Sequence, residues 1–400
     1  MRTIPFPCPA CGAASTSVFY EQFGIPMNSM LLLDSESVAR SFPKGDLALG
    51  YCHDCGFITN SLYDPGSSEY SQRYESSQAF SGVFNSFAHG LAQRWIDRHD
   101  IRNKTVLEIG CDKGDFLALM CELGNNTGIG IDPAADPTRQ IDSEAAGRMS
   151  FIADFYDEKY AHVRADVVIC RHTLEHIPNV FEFVLGVRKA LADQPNALVL
   201  FELPDSYRVL RDRAFWDVYY EHCSYFTMGS LARLFRKAGF DVLKLERDFD
   251  DQYLLIEARP SASIPATSDA LAEEDDFADV LSAVEAYELE IAADLEGRRS
   301  ALAKRTDAGQ RVVVWGGGSK GVAYLTSLGL AHEVRHAVDI NPYKQGKFMA
   351  GFAQAVVGPE ALVSLAPDVV VVMNSIYVDE IKARLVELAV PAMVTTTDDR

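Results

Sequence analysis

Glu108, Gly110, Asp112, Gly114 and Asp132 are the residues whose types and spacing most directly spell out ligand chemistry. Glycines at 110 and 114 let a backbone turn approach a ligand. An acid about twenty residues past such a turn can accept hydrogen bonds from ribose hydroxyls. A dinucleotide would require Gly-x-Gly-x-x-Gly, with the pyrophosphate on a helix N-terminus. Here Cys111, Asp112 and Lys113 separate the two glycines, and Glu108, Asp112 and Asp115 would repel a pyrophosphate. The acidic turn suits an adenosine-bearing ligand with a cationic amino group and no phosphate, such as S-adenosylmethionine (SAM). The plainer alternative is an ordinary βαβ unit with no ligand.

Cys8-Pro-Ala-Cys11 and Cys52-His-Asp-Cys55 form two Cys-x-x-Cys knuckles, each followed by a glycine. Each knuckle sets two sulfurs on one side of a turn, and two knuckles complete a tetrahedron. Such pairs read as a closed, structural four-thiolate zinc site. Redox pairs or free thiols are the alternatives. His53 could also ligate, but four thiolates suffice. The other cysteines, at 111, 121, 170 and 223, lie in apolar surroundings and read as core.

A second glycine turn, Gly316-Gly317-Gly318-Ser319-Lys320-Gly321, contains no acid. Three free amides, the Ser319 hydroxyl and the Lys320 ammonium would favour phosphate, with Lys344 and Lys347 adding charge nearby. A Rossmann-like unit with no ligand is the alternative.

These groups need elements to place them. Val106–Ile109 and Gly128–Ile131 read as buried parallel strands around a helix. Phe151–Phe155 fits a third strand, whose Asp154 could reach an adenine amino group, with Phe155 beside it. Asp166–Cys170 and Ala197–Phe201 follow, then a helix over 231–238 and a strand pair at 240–245 and 253–258. Ligands bind at the carboxyl ends of such strands, which puts Gly110, Asp132, Asp154, His172 and Glu202 on one rim. Phe84 to Ile96 and Val280 to Leu295 have helical spacing. The Ser-, Tyr- and Gln-rich stretch 63–87 reads as a lid or active-site loop, and 260–276 as a linker. Strands at 311–315, 334–338 and 369–373 build another α/β unit. Between the knuckles, Phe19, Phe23, 27–33 and 47–51 could supply a few strands.

With 400 residues, the chain is long enough for several domains of ~100–200 residues each. A net charge of −20 argues against nucleic acid or an anionic membrane as the main partner. No apolar run reaches the ~18–20 residues of a membrane span. The first residues lack a signal-peptide core. A cytoplasmic protein is expected, as a monomer or homodimer acting on a small molecule.

Taken together, the two knuckles, Leu107-Glu-Ile-Gly110, Leu174-Glu-His-Ile177, Glu202-Leu-Pro204, Tyr219-Tyr-Glu-His-Cys-Ser-Tyr-Phe226, Gly316–Gly321 and Lys344-Gln-Gly346 resemble the SAM-dependent C-methyltransferases of deoxysugar biosynthesis. The resemblance covers nearly the whole chain. It implies an α/β fold in three parts: a zinc-binding domain (1–68), a class I methyltransferase Rossmann-like domain (69–260), and a linker, helix and C-terminal Rossmann-like domain (261–400). It implies a nucleotide-sugar acceptor, a thymidine-diphosphate 4-keto sugar, methylated on the carbon beside the ketone.

By that resemblance His222 is the base and Glu221 its neighbour in the proton path. Tyr74 and Tyr219 hold the sugar, and His176 stands nearby. SAM would be held by Glu108, Gly110, Asp112, Gly114, Asp132, Asp154, Phe155 and His172. Histidine titrates near neutral pH, and a nearby carboxylate would raise its pKa. The sequence departs from the family at Asp248-Phe-Asp-Asp-Gln-Tyr253, where a His-Gly-Gly-Ser-like segment is usual. It also departs at Tyr220 and within Gly110–Gly114. The alternative on the same scaffold is O- or N-methylation of a non-sugar metabolite.

Overall fold

The computed structural model describes residues 1–67, 73–135, 143–330 and 333–399. Three sheets organise them. The first has the order β1-β2-β3-β4-β10, formed by β1 (Arg2–Ile4), β2 (Thr16–Pro26), β3 (Lys44–Tyr51), β4 (Ile58–Asn60) and β10 (Ser224–Tyr225). A short helix, α1 (Glu36–Arg40), lies between β2 and β3. Segment 27–33 is not a strand. It makes only isolated bridges, Leu31 to Tyr74 and Leu33 to Phe348. The last strand of this sheet, β10, comes from far along the chain.

The second sheet follows α2 (Gly82–His99) and contains β5 (Thr105–Ile109), β6 (Thr127–Ile131), β7 (Met149–Ile152), β8 (Val167–Arg171), β9 (Leu198–Pro204), β11 (Phe240–Asp248) and β12 (Tyr253–Pro260). Its order is β11-β12-β9-β8-β5-β6-β7. β5 to β9 are parallel, while β12 and β11 close the edge antiparallel. Residues 167–171 are all buried, as a strand covered on both faces requires. Helices α3 (Asp115–Gly124), α4 (Val180–Ala190), α5 (Ser206–Asp212) and α6 (Met228–Lys237) connect these strands. Helix α2 starts where the Ser81 hydroxyl accepts from Phe84 N–H and buries Phe84, Ala88, Leu91, Trp95 and Ile96 along one stripe.

The third sheet is parallel, with the order β15-β14-β13-β16-β17: β13 (Val312–Trp315), β14 (His336–Val338), β15 (Ala355–Val357), β16 (Val369–Val372) and β17 (Met393–Thr396). Helices α8 (Ser319–Leu328), α9 (Leu362–Leu365) and α10 (Val378–Glu387) pack on it. The expected helix from Val280 is α7 (Phe277–Asp307), 31 residues long. Its Tyr287 ring sits edge-on to Tyr20 and Phe19 of the first sheet, and the same apolar cluster continues into Val312, Val314 and Val322. That helix therefore fastens the first sheet to the third. Among the described residues, no helix is long and apolar enough to cross a membrane.

Candidate active site

β5 runs into a turn at Gly110, with φ of +73°. A Cβ there would lie 1.9 Å from the Thr173 hydroxyl, so only glycine fits. The strand order reverses between β5 and β8, which opens a crevice at their carboxyl ends. Asp132 ends β6 and accepts from the backbone N–H of Asp112 (2.9 Å) and Ala134 (2.6 Å). Ser76 donates to Asp112 (2.7 Å) and Ser77 to Asp115 (2.8 Å), so the segment from residue 73 straps the turn. The same segment reaches the third sheet's unit, where Asn341 donates to Glu75 (2.9 Å) and Ser81 to Glu380 (2.8 Å). Glu69 to Gln72, part of the expected lid, lie outside the described residues.

Burial raises Glu108 to a pKa of about 8 and Asp112 to about 7. One Glu108 oxygen (Oε2) and one Arg171 nitrogen (Nη2) are buried without a hydrogen-bond partner among the described residues, and both residues line the cavity. Arg171 Nε donates to Glu202 (2.5 Å), and its guanidinium lies 3.9 Å over the Phe116 ring. His172 pairs with Glu202 (3.0 Å) and faces Glu175 (3.7 Å). A buried carboxyl oxygen and a buried guanidinium nitrogen, each without a partner among the described residues, fit the ammonium and carboxylate of an amino-acid moiety. Sequence reasoning missed Arg171.

The expected strand through Phe155 is shorter than the sequence suggests. β7 stops at Ile152, and the Asp154 carboxylate is held by Lys159 (2.7 Å) and Tyr160 (2.6 Å). Phe155 and Tyr156 line the cavity at this edge, whereas Asp154 does not.

His222 is buried and lines the same cavity. Tyr219 lies against it, with ring centroids 4.1 Å apart, and His176 meets it edge-on at 4.8 Å. Tyr74 lines the cavity as well. The carboxylate facing the His222 ring is Glu175, 4.0 Å from Nε2. Glu221 is turned away. It accepts from both the backbone N–H (2.8 Å) and the hydroxyl of Ser29, and its carbonyl accepts from His176 Nδ1 (2.9 Å). The expectation that a neighbouring carboxylate raises the pKa of His222 is therefore corrected. Burial pushes it well below its ordinary value, and His176, His172 and Lys320 push the same way. The imidazole is neutral at neutral pH and can accept a proton.

The basic glycine turn also differs from expectation. Gly316 N–H donates to Val338 and Gly317 N–H to the Asp339 carboxylate (3.0 Å), so these amides are not free. Lys347 pairs with Asp34, and Lys344 lies 3.7 Å from Asp339. Lys320 pairs with Asp217 (2.5 Å), which Arg208 also contacts (3.0 Å). Lys320 and Arg208 thus meet at Asp217, with Asp212 3.8 Å from Arg208 on its other side. Arg208 gave no signal in the sequence, since it and Asp217 share no recognisable motif. The Ser319 hydroxyl lies 2.7 Å from that of Ser29.

Cys8 Sγ lies 3.6 Å from Cys55 Sγ, and Cys11 Sγ 3.5 Å from Cys52 Sγ. All four sulfurs lie within 4.8 Å of one another. Thiolates bound to zinc at about 2.3 Å stand about 3.8 Å apart, so the cluster matches a tetrahedral site.

A family model described as a methyltransferase domain matches residues 84–245, and one described as a C-methyltransferase C-terminal domain matches 256–390. The C-methyltransferase NovU from Streptomyces niveus is 28% identical over 94% of this chain and 90% of its own. The ribosomal protein L11 methyltransferase of Pasteurella multocida is 31% identical over 27% of this chain and 41% of its own. The solved PH0226 protein of Pyrococcus horikoshii aligns with 48% of this chain and 100% of its own, at 17% identity and a TM-score of 0.38.

Proposed function

Because this chain is a SAM-dependent methyltransferase of the C-methyltransferase family, we propose that it methylates a carbon beside the ketone of a nucleotide-diphosphate-linked sugar, with His222 as the base. The observation that carries this reading is a single cavity of about 1550 Å³, running from the Gly110 turn past His222 to Lys320 and Lys344. Pockets for one small ligand span roughly 300–1,000 Å³. This one has room for SAM and an extended acceptor at once.

SAM supplies the methyl group on a sulfonium. Glu108 and Arg171 hold its amino-acid end, and Asp132 accepts from the ribose. Gly110 and Gly114 let the backbone close on it, with Asp112 and His172 beside them. His222 takes the proton from the carbon next to the ketone. The electron pair left behind forms the new carbon–carbon bond as the methyl leaves sulfur. Glu175 stabilises the imidazolium that results. Tyr74 and Tyr219 hold the sugar, and His176, fixed by the Glu221 carbonyl, packs on His222. Arg208 and Lys320 offer the positive charge that a diphosphate requires, with the Ser319 hydroxyl beside it. Cys8, Cys11, Cys52 and Cys55 hold structural zinc and take no part in the chemistry. We place the divisions at 1–68, 69–260 and 261–400, with residues 224–225 lent to the first part.

A second reading, O- or N-methylation of another small metabolite, draws on one observation. The segment 248–253 brings Gln252 to the cavity, where it exchanges two hydrogen bonds with Asn374 (3.1 and 2.9 Å). Calorimetry with thymidine diphosphate on protein saturated with S-adenosylhomocysteine separates the two. Binding that is weakened in Lys320→Ala supports the nucleotide sugar. No binding favours the second reading.

A further inference from the structure

Burial and hydrogen bonding around His222 converge on the peptide that follows it. Cys223 O accepts from the Asn60 backbone N–H (2.9 Å) and from the Thr59 hydroxyl (3.1 Å). Cys223 N–H donates to Glu175 O (3.0 Å), and the Ser224 hydroxyl to Ile177 O (2.7 Å). The first pair of bonds comes from β4 and the second from the turn that carries His176. Thr59 and Asn60 are both buried. β4 also pairs with β10 in the register Thr59 to Ser224 and Ile58 to Tyr225.

The other end of β4 begins just past Cys55. Cys52 N–H donates to Phe57 O (2.9 Å), and the Phe57 ring packs on Phe226, 5.0 Å away. Helix α6 grips the cysteine cluster from the far side. Arg233 donates to Cys55 O (2.9 Å), and Lys237 donates to Cys11 O (2.7 Å). The thiolate cluster, β4 and the His222 peptide thus form one continuous buried connection.

We propose that Thr59 and Asn60 are positioning residues for His222, and that through them the four-cysteine cluster sets the place of the reacting histidine. A metal ion joins the two knuckles into one unit, which fixes the start of β4. The Thr59 hydroxyl and Asn60 N–H carry that constraint to Cys223, and so to the adjoining His222. Loss of the metal loosens the histidine without touching the SAM turn, which lies on β5. The consequence for catalysis rests on His222 being the base, but the positional link does not.

The test reads the His222 imidazole directly, by nitrogen-15 NMR of the full chain saturated with S-adenosylhomocysteine. Four samples are titrated: wild type, Thr59→Val, Thr59→Ser and wild type stripped of metal by a chelator. In Thr59→Val the His222 signals are expected to shift and its pKa to rise toward the ordinary histidine range, as its packing loosens. Affinity for S-adenosylhomocysteine should stay within about twofold of wild type. Thr59→Ser should restore the wild-type signals, and the metal-stripped wild type should reproduce the valine variant. Unchanged His222 signals in both the valine variant and the stripped protein would overturn the proposal. So would a parallel collapse of S-adenosylhomocysteine binding, which marks general unfolding. Should Thr59→Val fail to fold, the stripped wild type gives the same readout. If His222 is not the base, its signals still move and only proton exchange at the acceptor fails.

Discussion

The backbone N–H and the hydroxyl of Ser29 both donate to Oε1 of Glu221, across 192 positions of sequence. The same hydroxyl lies 2.7 Å from Ser319, so one small side chain touches all three parts of the molecule. The second Glu221 oxygen is buried without a partner among the described residues. Ser29→Ala removes the hydroxyl donor and leaves the backbone one. Unfolding in denaturant should show a loss of about 1–3 kcal/mol. Ser29→Thr, which keeps the hydroxyl, should lose less.

Glu108 gives a prediction readable without the acceptor. Burial holds its pKa at about 8, so the carboxyl is mostly protonated at pH 7. An ammonium placed beside it favours the carboxylate, so binding of S-adenosylhomocysteine should release a proton. Calorimetry in buffers of different ionisation enthalpy should show this release at pH 7. Glu108→Gln should abolish it and weaken binding about tenfold.

The Glu202–His172 pair predicts two limbs of stability against pH. Burial alone would raise Glu202, but Arg171 and His172 outweigh it and bring its pKa to about 2. Burial alone would lower His172, but Glu202 and Glu175 outweigh it and raise its pKa to about 9. The unfolded values are about 4.3 and 6.5. The Glu202 contribution is complete above its unfolded pKa and is lost as pH falls toward 2. The His172 contribution is complete below its unfolded pKa and is lost as pH rises through 9. Chemical unfolding from pH 3 to 10 should therefore show greatest stability between the two unfolded values. His172→Gln should flatten the alkaline limb and shrink the acid limb, because Arg171 alone then opposes the burial of Glu202.

The Gly110–Gly114 turn, the cysteine knuckles and the α/β rhythm were legible because each is local. Glycines, acids and thiols stand at fixed offsets along one short stretch. The groups that complete the site are not local. Arg171 meets Glu202 across two strands, Ser29 reaches Glu221 from another sheet, and Arg208 shares Asp217 with a lysine over a hundred positions later. The sequence places Glu221 beside His222, yet the backbone there turns its carboxylate to Ser29 and leaves Glu175 facing the ring. Lys320 reads as free because Asp217 has no sequence relation to it. At 249–251, Phe249, Asp250 and Asp251 all adopt left-handed φ (+53°, +58°, +56°). Phe249 holds the turn by stacking on Tyr253 at 5.0 Å. The altered segment thus keeps a turn while placing Gln252 in the cavity.

Carbon acidification depends on the His222 imidazole. His222→Asn keeps the size of the side chain and removes the base. It should retain S-adenosylhomocysteine binding while proton abstraction falls by about 10²–10⁴-fold.

The most direct measurement incubates the protein with S-adenosylhomocysteine and a thymidine-diphosphate-linked 4-keto sugar in deuterated water, with no methyl donor present. Deuterium at the carbon beside the ketone is then followed by proton NMR. The account predicts wash-in with wild type at a rate well above the buffer control, and wash-in at the control rate with His222→Asn. Exchange that is equal in the two proteins, or no faster than buffer with wild type, would contradict carbon acidification at His222.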